Sequence, residues 1–197
     1  EKGDHQAALK HLQIIREQAP EHPQILVLLC RCWIATGQYD DARQSAKTLL
    51  RLDPDNYQAR LTLARIALLQ DKNAQAATDL ALEAIQLEYG DPRAHTTLGN
   101  ALLQLGQLKE AEQALVNSLR LNPDNAQATQ ALIRVYKQLD ESDKVRAVEG
   151  NALRLKAERK LAEQKHLESL RTGIASRGKQ RHAERQLKRE KAARQAA

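Results

Sequence analysis

PRAHTTLGNALLQLGQLKEAEQALVNSLRLNPDN (residues 92–125) holds in 34 positions the pattern on which the whole 197-residue chain is built. Its last six residues, RLNPDN (120–125), return almost unchanged as RLDPDN (51–56). Sliding the chain along itself brings Gly3, Gly37, Asp71, Gly106 and Asp140 into line at intervals of 34, 34, 35 and 34. Five residues after each stands a small or branched apolar side chain: Ala8, Ala42, Ala76, Ala111 and Val145. Pro20 and Pro54 lie 34 apart, and Pro123 follows 69 later, two periods plus one inserted residue. The insertion is expected in the third unit, before Tyr89-Gly90-Asp91-Pro92. A period of this length marks a repeat architecture in which each unit is one supersecondary element.

Each unit reads as two helices. Between Pro23 and Thr36, Leu26, Leu29, Cys30 and Trp33 recur at spacings of three and four, the signature of an amphipathic helix. Gly37 can take the left-handed conformation that ends a helix. A second helix is expected from Asp40 to Leu52, with Ala42, Ala46, Leu49 and Leu50 inward. Asp53-Pro54 stops it, because a residue before Pro is pushed out of the α region. The same pattern pairs 57–70 with 73–87, 92–105 with 108–121, and 126–139 with 141 onward. Composition agrees: 8 Gly and 5 Pro are too few for the turns of an all-β fold, and the class is all-α.

Leu98-Gly99 early in a first helix, Gly106 in the turn, Ala111 in the second helix and Pro123 at the end resemble the tetratricopeptide repeat. The resemblance covers residues 3–155 and implies a right-handed α-solenoid of antiparallel helix pairs. Its units are a partial one at 1–22, then 23–56, 57–91, 92–125 and 126–155, with a C-terminal extension over 156–197. Departures are Asp71 and Asp140 in place of the turn glycine, His95 and Thr129 in columns that are usually bulky, and no closing Pro in the last unit. Gly3 is expected in a turn that opens mid-repeat. With no Met anywhere, the chain reads as a piece of a longer protein with further repeats upstream. Residues 141–172 are expected to form one long helix, on which Val145, Val148, Ala152 and Leu155 cap the stack. Leu161, Leu167, Leu170 and Ile174 carry a thin apolar stripe onward.

The family's ligand surface is its concave side, lined by the first helix of each pair. Three columns face it here: Gln24, Gln58, Arg93 and Gln127; Val27, Leu61, Thr96 and Gln130; and Arg31, Arg65, Asn100 and Arg134. Side chains four apart share a helix face, so the columns form adjoining ladders. Three arginines in four equivalent places do not suit a core, since Arg is almost never buried unpaired. They are either solvated or paired with neighbouring acids, or else they offer forked donors to carboxylates and carbonyls of an extended peptide. Some family members clamp a partner's C-terminal carboxylate with Lys and Asn at set columns. Here those columns hold Val27, Arg31, Thr62, Arg93 and Thr97, which disfavours recognition of chaperone tails.

Charge is unevenly distributed. Residues 1–170 carry 22 Lys and Arg against 23 Asp and Glu, whereas residues 171–197 carry 9 against 2. The basic tail comprises Arg177, Lys179, Arg181, Arg185, Lys188, Arg189, Lys191 and Arg194. It suits a solvated extension, an acidic protein partner or salt-sensitive phosphate binding. It has no aromatic for base stacking. No apolar run is long enough for a membrane span, and the compartment stays open. Cys30 and Cys32 fall about 200° apart around a helix, where they can share neither a disulfide nor a metal. The six His are scattered, His95 reads as a core histidine, and no phosphate loop, metal motif or nucleophile elbow occurs.

The sequence therefore points to a non-catalytic scaffold, without cofactor or metal, that holds another protein or peptide of partly acidic character in a concave groove. Two alternatives stand beside it. One is a nucleic-acid-binding solenoid anchored by its basic tail; the other is the regulatory arm of an enzyme whose catalytic domain lies outside these residues. Self-association through the C-terminal helix also remains open.

Overall fold

The computed structural model describes the backbone of residues 2–195 and the side chains of residues 4–169. Among these the chain forms nine helices and no strand. They are α1 (Lys2–Gln18), α2 (Pro23–Thr36), α3 (Tyr39–Leu52), α4 (Tyr57–Leu69), α5 (Ala74–Leu87), α6 (Pro92–Gln104), α7 (Leu108–Leu121), α8 (Ala126–Gln138) and α9 (Ser142–Gln195). The architecture is a right-handed solenoid of antiparallel helix pairs. Residues Glu1–Gly150 form one compact unit and Asn151–Ala197 a second.

Within the first unit the even-numbered helices touch one another, α2 with α4, α4 with α6 and α6 with α8, whereas α3, α5 and α7 do not. Helices on the inside of a bend are the closer set. The even helices are therefore the concave wall and the odd ones the convex wall.

The Asn of each PDN phrase starts the next inner helix. Asn56 Oδ1 accepts the Ala59 N–H at 3.0 Å, Asn125 Oδ1 that of Ala128 at 3.2 Å, and Asp91 Oδ1 that of Arg93 at 2.9 Å. Such a cap satisfies an N–H that has no intrahelical partner and is worth ~1 kcal/mol. Upstream, Asp53 and Asn122 leave the helix in extended conformation, and their side chains accept the N–H two residues on. Asn125 does more than cap. Its amide donates to Thr96 Oγ1 at 2.8 Å and Ser118 Oγ at 3.0 Å, while Ser118 donates to the Pro92 carbonyl at 2.8 Å. One half-buried network thus ties α6, α7 and α8 together.

The turns correct the sequence alignment. Gly37 and Gly106 are left-handed at φ 82° and 75°, and Asp140 adopts φ 57° in the same role. In the remaining turn the left-handed residue is Lys72, at φ 55°, and not Asp71. α3 starts 16 residues after α2 and α7 16 after α6, but α5 starts 17 after α4. The inserted residue thus lies in the α4–α5 turn and not before Tyr89. The cause is local: Arg43 grips Asp71 at 2.7 and 2.9 Å, and Asn73 caps α5 through the Ala76 N–H at 3.0 Å. Between those anchors Lys72 must reverse the chain. The buried column shifts with it, so Ala77, and not Ala76, joins Ala42 and Ala111 as fully buried. Gly3 also departs from the alignment, lying inside the first turn of α1, where no left-handed residue is required.

α9 runs on from Ser142 to Gln195, through Gly150. In the first unit its Val145 and Val148 pack against the cluster of Leu132, Val135 and Tyr136. In the second unit Ala152 and Leu155 are half-buried and Leu161 and Leu167 exposed. Leu170 and Ile174 lie outside the described side chains. Among the described residues no helix is long and apolar enough to cross a membrane.

Gly99 marks the tightest contact between α6 and α7. A Cβ there would stand 2.5 Å from Leu115 Cγ and 2.7 Å from Cδ2, and Leu115 is fully buried with no room to yield. Overpacking of this kind costs ~1–3 kcal/mol, against the ~1 kcal/mol that Ala gains over Gly in a helix. Gly99→Ala should therefore lower stability by about 1 kcal/mol in urea titration. In a Leu115→Ala background the same change should become stabilising, reversing the sign of its effect.

Candidate functional site

Two adjoining hollows run along the concave wall. The larger, about 500 Å³, lies among α4, α6 and α8, with Arg65, Arg93, Asn100, Gln127, Gln130 and Arg134 in its lining. The smaller, about 10 Å³, is a crevice between α2 and α4 lined by Val27, Arg31, Gln58, Leu61, Arg65 and Arg93, among others. Arg65 and Arg93 face both. Of the twelve groove residues expected from the columns, only Gln24, exposed on the first turn of α2, lines neither.

Their availability differs. Arg31, Gln127, Gln130 and Arg134 are exposed, and Val27, Gln58, Arg65, Arg93 and Asn100 are half-buried. Leu61 and Thr96, expected on the surface, are buried at 4% exposure each. Their column sits a turn deeper, where neighbouring inner helices close over it. Thr96 also spends its hydroxyl on the network with Ser118 and Asn125. Asn100 is similarly engaged, donating to the Thr96 carbonyl at 3.0 Å and accepting from Arg134 Nη2 at 3.3 Å.

Neither hollow is lined by a carboxylate. Just outside the lining, buried Asp91 binds Arg93 Nε at 2.9 Å and Nη2 at 2.5 Å. Burial pushes the Asp91 carboxyl up, but the hydrogen bonds and charge of Arg93 outweigh it and hold the group below the ordinary carboxylate value. Arg93 is raised in turn, chiefly by the bond to Asp91. Arg65 is the opposite case. It makes no hydrogen bond or ion pair among the described residues, and burial, reinforced by the charges of Arg93 and Arg31, draws its pKa down. Arg31 also has no ion pair there.

Column reasoning missed Asn122 and Asn125, which line the larger hollow, and Asp91, which holds Arg93 beside it. Their signal was present in the N-cap phrases, which were read only for helix boundaries.

Of the five columns compared with a carboxylate clamp, those held by Val27, Arg31 and Arg93 line the crevice, whereas the two held by threonine have no free hydroxyl. Thr62 and Thr97 are buried and donate back to the Gln58 and Arg93 carbonyls at 2.7 and 2.8 Å. His95 is fully enclosed, its Nε2 2.9 Å from the Tyr89 carbonyl. Cys30 and Cys32 are both buried free thiols, and burial pushes Cys30 up to about 12. Neither is a nucleophile at neutral pH. Among the described residues no three His, Cys, Asp or Glu cluster as metal ligands do. The tail residues from Arg177 to Arg194 lie outside the described side chains.

Models described as tetratricopeptide repeat match residues 1–51, 34–92 and 92–125. The chain belongs to the tetratricopeptide-repeat family. It is accordingly a helical-pair scaffold of the kind used for protein interaction. Human DnaJ homolog subfamily C member 3 is 32% identical over 120 residues, 61% of this chain and 23% of that protein. The chain spans about a quarter or less of the length of the curated relatives it matches. Among solved structures, a thermophilic TPR protein of Thermus thermophilus, TTC0263, is similar with TM-score 0.67 at 23% identity, over 77% of this chain and 83% of that one. MamA is similar with TM-score 0.61 at 25% identity, over 82% and 93%.

Two outcomes follow from the electrostatics. Replacing half-buried Arg65 by uncharged Met, which keeps the packing of the aliphatic stem, should raise stability by about 1 kcal/mol in urea titration, because no internal partner is lost. A loss of similar size would show that the guanidinium is satisfied within the fold. Asp91 acts in the other sense. Its folded pKa lies below the unfolded value of about 3.9, so its contribution is present above that pH and is lost as pH falls through the folded pKa. Wild type should therefore lose stability below pH 4 more steeply than Asp91→Asn, which keeps the capping oxygen.

Proposed function

We propose that the array of residues 1–155 is a non-catalytic module that holds an extended segment of a partner polypeptide along its concave wall, with 156–197 as an appended helix. One observation carries this: two adjoining hollows are lined by four arginines and several carboxamides but by no carboxylate, and of the four arginines Arg93 alone is ion-paired among the described residues. Guanidinium donors suit carboxylates and backbone carbonyls, and exposed Gln127 and Gln130 can both donate to and accept from a peptide backbone. Val27 gives the α2 end a more apolar floor. A charged hydrogen bond that is desolvated contributes roughly 1.5–3 kcal/mol, so two or three suffice for a micromolar complex.

The test is a random dodecapeptide library, N-acetylated and C-amidated, selected on the whole chain, with the enriched peptides measured by calorimetry. Arg31→Ala, Arg65→Ala and Arg134→Ala combined should weaken binding at least about tenfold, a change of ~1.4 kcal/mol or more. The circular-dichroism spectrum and cooperative urea transition should persist. Equal affinity in the triple variant would move the ligand surface elsewhere.

A further inference from the structure

We infer that the crevice between α2 and α4, where Arg31, Arg65 and Arg93 meet, is a carboxylate site that takes one internal Asp or Glu side chain of the bound polypeptide. This rests on the groove proposed above and names the feature that the groove selects.

The first support is a half-buried cation left without an ion pair. Arg43, Arg60 and Arg93 are half-buried too, and the array answers each from within, with Asp71, Glu83 and Asp91. Exposed Lys47, Lys72 and Lys109 have no ion pair among the described residues and lose little water by it. Arg31 and Arg65, one period apart on successive inner helices, have no such counter-ion among the described residues. Taking a cation partly out of water is unfavourable unless an opposite charge follows it; here Asp91, already bonded to Arg93, reaches Arg65 and Arg31 through its charge alone and is outnumbered by the three guanidinium groups.

The second support is the way Asp91 divides the cluster. It engages Arg93 through Nε and Nη2 and is engaged fully in return. That pair is a fixed and nearly neutral wall. The excess positive charge is that of Arg31 and Arg65, which line the crevice without a hydrogen-bonded acid among the described residues; a guanidinium carries the forked donors that match a planar carboxylate.

The third support is shape. The crevice has room for about one water-sized group, about 10 Å³, and it shares Arg65 and Arg93 with the hollow of about 500 Å³ beside it. A chain lying in the larger hollow can lower one side-chain tip into the crevice as it passes. The small volume favours a flat carboxylate over a tetrahedral phosphate. The chain terminus has no special role, because Thr62 and Thr97 spend their hydroxyls on the backbone.

The experiment uses the same capped peptides, which have no terminal carboxylate, and the full-length chain. Each Asp or Glu of an enriched peptide is replaced in turn by its amide, and one version carries phosphoserine at that position. One amide replacement should weaken wild-type binding about tenfold or more, yet change binding to Arg65→Gln less than about threefold. Asp91→Asn, which keeps the cap on α6 while releasing Arg93, should bind the acidic peptide several-fold tighter. Lys47→Gln on the outer wall should match wild type. A retained urea midpoint in Arg65→Gln separates lost recognition from lost folding. Indifference to every amide replacement, or wild-type affinity in Arg65→Gln, overturns the carboxylate site and leaves the groove standing. Tighter binding of the phosphoserine peptide overturns the assignment to carboxylate. Failure to enrich any peptide overturns the groove and this site with it.

Discussion

Two helices can pack closely only where the side chains between them are small, and in this chain every other feature depends on that approach. Ala42, Ala77 and Ala111 are fully buried at equivalent points on the outer helices, as are Ala59, Ala94 and Ala128 on the inner ones. Gly99 takes the approach to its limit against Leu115. Once the pairs are drawn together, larger residues fill the remaining space: Leu29 and Trp33 in one cluster, Leu132 and Val135 in another. No unit can cover its own apolar face, so stability arises from successive stacking and propagates along the chain.

That stacking sets the geometry of the wall. Because inner helices touch inner helices while outer ones stay apart, a residue's depth in the groove follows from its turn on the inner helix. The column of Leu61 and Thr96 is drawn into the seam between units, whereas Arg31 and Arg134, one turn on, remain at the surface. Arg65 sits between these extremes. It is far enough in to be partly desolvated, and it feels the charges of Arg31 and Arg93 while no acid is bonded to it among the described residues. The asymmetry between the hollows has the same origin. Asp91 occupies the N-cap position that Asn fills at 56 and 125, and so brings a charge into a site where those two units place an amide.

Much of the fold was legible because the chain marks its boundaries with residues of narrow conformational choice. Pro23, Asn56, Asp91-Pro92 and Asn125 fix the starts of the inner helices, and Gly37 and Gly106 fix two turns. The α4–α5 turn was not legible in the same way. Its left-handed residue is a lysine, which carries no signature of that conformation, and Ala76 and Ala77 stand side by side, so either could extend the buried column. The groove columns were legible from the four-residue repeat of a helix face, but depth within them was not. Leu61 and Thr96 share the spacing of exposed Gln130, and only the neighbouring helix shows that they are covered. The isolation of Arg65 was least legible of all, because it depends on acids being absent from three separate inner helices.

The balance of charge then separates what the array needs to fold from what it offers to another molecule. Over residues 1–170 the charges nearly cancel, and several on the outer wall and in the turns meet one another, as Arg43 does Asp71 and Lys144 does Glu112. A chain selected only for stability would extend this pairing to the inner wall, or place there uncharged side chains such as those of Gln58 and Gln127. Arg65 does neither. The unfavourable placement is tolerable because the stack derives its stability from the alanine seams and not from charge. A modest local cost therefore leaves the architecture intact while keeping strong, directional donors unsatisfied on the concave face.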